Sequence, residues 1–102
     1  GIKMEDYFKK NHYKRIVIYG MNFLGERLVD ELKETDIEII AGVDKNAKGI
    51  FAEMPLLLPE DTIPDADCMV VTPLFFFDEI KKSMLSKINY PIISLEDILY
   101  DV

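Results

Sequence analysis

A chain of 102 residues with 49% hydrophobic and 30% charged side chains has the size and balance of one globular domain with a single core. Its formal net charge of −7 argues against a sequence-independent grip on nucleic acid or on an anionic membrane, and it repels any phosphate ligand in the background. No apolar run approaches the roughly 18 residues of a membrane span, no signal peptide is visible, and Cys68 is the only cysteine, so a reducing, cytoplasmic setting is expected.

Residues 4–11, Met-Glu-Asp-Tyr-Phe-Lys-Lys-Asn, put Met4, Tyr7 and Phe8 on one face of a short helix or turn that would close the core. His12 stands alone and reads as a surface residue. Cys68 sits in an apolar run without a thiol or imidazole partner at ligand spacing, so it reads as a core residue and no metal site is expected.

The run Ile16-Val17-Ile18-Tyr19 is β-branched and aromatic without alternation, as in a strand covered on both faces. Gly20 ends it and Gly25 follows five residues later. A dinucleotide fingerprint asks for Gly-x-Gly-x-x-Gly, and here Asn22 takes the middle place. The first glycine permits the tight turn and the third lets helix and strand pack closely. The second lets a pyrophosphate approach, and Asn22, although tolerant of a left-handed backbone, puts a Cβ there. The helix predicted over 22–34 gathers Met21, Leu24, Gly25, Leu28, Val29 and Leu32 into an arc of about 140°. Phe23 falls outside that arc, over a ligand mouth, at a contact with another domain, or exposed without a role.

Ile37 to Val43 form the second predicted strand, closed by Asp44, 24 residues after Gly20. A carboxylate at this spacing accepts ribose hydroxyls in nucleotide-binding folds; equally, Asp44 opens the turn Asp-Lys-Asn-Ala-Lys-Gly. Lys45–Pro59 is irregular, with Leu56-Leu57-Leu58 between prolines as a short edge strand. The expected second crossover helix is nearly absent, with at best one turn at 59–62. Ala66–Thr72 is the fourth strand. Thr72 with Pro73 would cap a helix over 73–88 carrying Phe76, Phe77, Ile80, Met84 and Ile88 on its core face, leaving Phe75 over. Tyr90–Ser94 is a fifth short strand, and Ser94 with Asp97 three residues on starts a last helix.

The expected fold class is α/β: a Rossmann-like three-layer α/β/α domain spanning 1–102, with a five-stranded parallel sheet of order 3-2-1-4-5. The run from Arg15 through Gly20-Met21-Asn22-Phe23-Leu24-Gly25, then Gly42-Val43-Asp44, Met54–Asp61 and Ala66–Thr72, resembles the small Rossmann-like domains of bacterial polysaccharide-biosynthesis proteins. Those domains are similar to ones beside sugar O-acyltransferase, methyltransferase or glycosyltransferase modules. The resemblance implies a piece of a larger protein that binds a nucleotide or nucleotide-sugar for a catalytic domain on the same or another chain. It implies ligand contacts at Gly20, Met21, Asn22, Phe23, Gly25 and Asp44, with Thr72 at the neighbouring strand end. NAD is a further ligand of the same type, and nucleotide-sensing regulatory domains of potassium transport are a more distant likeness. No Ser elbow, Tyr-x-x-x-Lys pair, Cys-His pair or metal cluster appears, so independent catalysis is not expected. The other reading is a structural or docking domain whose nucleotide site is degenerate and empty.

Overall fold

The computed structural model describes residues 4–47 and 53–101. The expected five-stranded parallel sheet is present, in the order β3-β2-β1-β4-β5. Its strands are β1 (Arg15–Tyr19), β2 (Glu38–Val43), β3 (Leu56–Leu57), β4 (Cys68–Val71) and β5 (Ile92–Ser94). The helices are α1 (Met4–Lys10), α2 (Phe23–Leu32), α3 (Phe77–Met84) and α4 (Leu95–Asp101), with a 3₁₀ turn at Leu74–Phe76 before α3. Residues 48–52, part of the irregular segment after Asp44, lie outside the described residues.

Side-chain alternation along the strands divides the core into two layers. Ile16 and Ile18 of β1 and Cys68 and Val70 of β4 face one way, against Phe8 of α1, Leu28 and Leu32 of α2, and Ile98 of α4. Val17, Tyr19, Met69 and Val71 face the other way, against Ile80 and Met84 of α3. β1 and β4 are buried along almost their whole length, which explains why neither shows an alternating pattern. Cys68 belongs to this core, and burial, with the neighbouring Asp67 charge second, pushes its thiol up to about 12. It is an inert packing residue.

Several element ends differ from the periodicity. α2 stops at Leu32 rather than 34 because the Thr35 hydroxyl donates to the Leu32 carbonyl (2.7 Å) and accepts the Ile37 N–H (3.2 Å), turning the chain into β2. The helix expected over 73–88 is shorter at both ends, and its first turn is 3₁₀, closed by the Phe76 N–H on the Pro73 carbonyl at 3.2 Å. A 3₁₀ turn advances 120° per residue instead of 100°, so Phe76 at its end falls out of phase with the core face that Phe77, Ile80 and Met84 keep. Phe76, expected in the core, is 58% exposed for that reason, while Phe77 packs against the α3 layer.

The stretch between β3 and β4 contains no helix. Ile63 and Ala66 pack onto the α3 layer in place of one. The Tyr90 hydroxyl donates to the Pro64 carbonyl (2.8 Å), and the Lys87 ammonium donates to the carbonyls of Asp61 (2.9 Å) and Pro59. At α4 the expected cap forms in both directions: Ser94 Oγ accepts the Glu96 N–H (3.1 Å) and the Asp97 carboxylate accepts the Ser94 N–H (3.0 Å).

Two ends are secured by groups with no local sequence signal. His12 sits at φ +62 and closes α1, with its own N–H on the Lys9 carbonyl and the Tyr13 N–H on the Phe8 carbonyl. Asp67 joins the bottoms of β1 and β4, one carboxylate oxygen accepting the N–H groups of Lys14 and Arg15 at 2.8 Å each. The Arg15 bond, then the Lys14 bond, hold the Asp67 carboxyl below its ordinary range. A depressed carboxyl contributes stability above the ordinary carboxylate range and loses it as pH falls through the folded value. Asp67→Asn is therefore expected to cost about 1 kcal/mol near neutral pH, discounted for its exposure. Urea unfolding should show that difference shrinking as pH falls below the ordinary carboxylate range and the Asp67 carboxyl takes up its proton.

Candidate functional site

The Gly20–Gly25 turn works through close packing. Gly20 has φ +97, and a Cβ there would fall on the Thr72 hydroxyl and within 2.6 Å of Pro73 Cδ. A Cβ on Gly25 would fall on the Gly20 carbonyl oxygen, so this glycine lets α2 start directly against the turn. Gly42 on β2 leaves room for Met21, whose Cγ would lie 2.8 Å from an added Cβ. Met21 is accordingly 2% exposed and offers the site only its backbone.

Thr72 does not cap the following helix. Its hydroxyl donates to the Gly20 carbonyl (2.7 Å), with the Tyr19 carbonyl at 3.2 Å, and its side chain is fully buried. It ties the end of β4 to the turn from behind. Asn22 lies at φ −83, ψ −150, an extended conformation rather than a left-handed one, and its exposed side chain makes no capping bond to α2. The positive φ of the turn falls on Gly20 alone among residues 20–25.

Asp44 is half-buried at the end of β2, and both of its carboxylate oxygens are engaged. Oδ2 accepts the Met21 N–H and Oδ1 accepts the Asn46 N–H, each at 2.8 Å. The turn role foreseen for this residue is thus present, and it reaches further than the turn: the same carboxylate clasps the glycine loop after β1. A carboxylate has about four acceptor positions, so Asp44 retains capacity for a hydroxyl donor. The first helical hydrogen bond of α2 runs from the Glu26 N–H to the Asn22 carbonyl at 2.9 Å, so the amides of residues 22–25 have no partner within the helix.

Beside this clasp, at the carboxyl ends of the strands and on the α3 face, opens a cleft of about 680 Å³. That volume is within the range of small-molecule sites, and the place is where the strand order reverses between β1 and β4. Gly20, Asn22 and Asp44 line it, as do Lys45 and Asn46 of the following turn. Pro59 and Pro73 form apolar edges, and 3₁₀ and α3 residues Phe76, Glu79, Ile80 and Ser83 form the opposite wall. The Tyr19 ring closes the floor. Burial first, then the charges of Asp44 and Glu60, hold the proton on its phenol more firmly than usual.

Of the residues singled out from the sequence, Gly20, Asn22 and Asp44 come together in the cleft. Met21, Gly25 and Thr72 support it from within, and Phe23 is 69% exposed and does not line it. The α3 wall has no signal in the sequence: the helical period puts Phe76 in the core, and Glu79 and Ser83, four apart on one helix face, match no motif. Among the described residues, no three His, Cys, Asp or Glu side chains form a metal-holding group, and no helix is long and apolar enough to cross a membrane.

The turn's tolerance is directly testable. Gly25→Ala forces a methyl group onto the Gly20 carbonyl and is expected to cost about 1–3 kcal/mol, as overpacking of a tight interior does. Thermal unfolding would measure it; an unchanged melting temperature would show that α2 does not start hard against the turn. Compared with protein-family models, with curated proteins and with solved structures, the chain matches none.

Proposed function

We propose that this domain is a non-catalytic binding module that holds a nucleoside-bearing ligand, of the nucleotide or nucleotide-sugar kind, in the cleft beside Asp44. The observation that carries the reading is the position of the cleft: it lies at the carboxyl ends of the strands where their order reverses, with a half-buried carboxylate on its wall. Asp44 would accept ribose hydroxyls with its remaining lone pairs, and Phe76 and Ile80 would lie against a base. Among the described residues the lining holds no nucleophile paired with a base, which favours binding over chemistry. The resemblance of the glycine turn and the strand-end acid to domains of polysaccharide-biosynthesis proteins supports a role beside a catalytic domain on the same or another chain.

A docking role is the second reading, favoured by Phe23 and Phe75, 69% and 98% exposed at the carboxyl ends of neighbouring strands. Calorimetric titration with UDP-sugars, NAD and AMP separates the two. Heat with at least one of them, or with adenosine or uridine, supports the binding module; none from any of these at millimolar concentration leaves only docking. Asp44→Ala is expected to weaken a bound ribonucleotide by about 1–3 kcal/mol, the cost of removing a charged acceptor. It should also lower the melting temperature, since two backbone amides lose their partner.

A further inference from the structure

We infer that the cleft selects a nucleoside whose ribose carries no diphosphate, because the leading amide of the turn that would cradle phosphate already holds an anion of the protein's own, the Asp44 carboxylate. The inference rests on the nucleoside reading of the cleft and narrows it.

Three observations lead there. First, the Met21 N–H, the leading amide of the glycine turn, is bonded to Asp44 Oδ2 at 2.8 Å, and the Asn46 N–H on the other side is bonded to Oδ1. A phosphate at the remaining turn amides, those of residues 22–25, would lie beside this carboxylate and be repelled by it. Second, the start of α2 contributes roughly half a positive charge, whereas Asp44 on the turn's first amide brings a full negative one. The local sum at the turn is negative. Third, among the described residues the charged groups lining the cleft are two carboxylates, Asp44 and Glu79, against the single ammonium of Lys45. Glu60, next to the lining residue Pro59, adds its charge to the field felt at Tyr19. A chain already at −7 does nothing to offset this from a distance.

An uncharged nucleoside meets none of these penalties. Its ribose hydroxyls are donors, which is what a carboxylate with spare lone pairs binds. Its base is a flat, largely apolar ring, suited to the Phe76, Ile80, Pro59 and Pro73 surfaces.

The test is calorimetric titration of the intact 102-residue chain with adenosine and uridine, their 5′-monophosphates and their 5′-diphosphates, at low and at high salt. The expected result is a dissociation constant about tenfold or more weaker for each diphosphate than for its nucleoside, with the monophosphate between them. Because the penalty is charge repulsion at an open cleft, the gap should narrow as salt rises. A diphosphate that binds as tightly as its nucleoside, or more tightly, overturns the selection while leaving the nucleoside cleft in place. Absence of heat from all six compounds overturns the nucleoside reading itself, and the selection with it.

Discussion

The Asp44 carboxylate is the joint on which the cleft end of this domain depends. It stands at the tip of β2 and binds one amide from the turn after β1 and one from the turn after β2. Of the two bonds the one to Met21 is the better shielded from water and the one to Asn46 is exposed, so solvent screening leaves the pair about 1–3 kcal/mol in all. The bonds also set the shape of the cleft, because Gly20, Asn22, Lys45 and Asn46 line it from either side of the clasp. Stability and the shape of the cleft here share one side chain.

Around that joint the packing is arranged to bring the chain close. Gly20 abuts Thr72 and Pro73, Gly25 abuts Gly20, and Gly42 admits Met21. Each contact leaves no room for a methyl group, so β1, β2, β4 and α2 converge on one point. The opposite wall comes from α3, whose orientation is set by Ile80 and Met84 in the second core layer. Pro59 is brought to the cleft edge by the Lys87 ammonium, which holds the helix-free connection between β3 and β4.

The sheet is legible in the residues because strands buried on both faces need continuous apolar runs, and Ile16–Tyr19 and Cys68–Val71 are such runs. Gly20 and Gly25 were legible because their spacing has a mechanical meaning. Asp44 was recognisable as an acid at a strand end, but its direction was not: residue type does not say whether a carboxylate turns toward solvent or toward an amide 23 residues earlier. Phe76 escaped because a single 3₁₀ turn changes the helical phase. Asp67 escaped because its partners are 52 and 53 residues away. In each case the missing information is tertiary.

The claim that clasp and cleft form one unit is tested most directly by amide chemical shifts during a nucleoside titration of the isotopically labelled protein. The account predicts that the amides of Met21 and Asn46, which bind Asp44, move together with that of Ile80 across the cleft and give one dissociation constant. Movement confined to residues at the opposite end of the strands, such as Lys14 and Ile37, with Met21 and Asn46 unmoved, would contradict it.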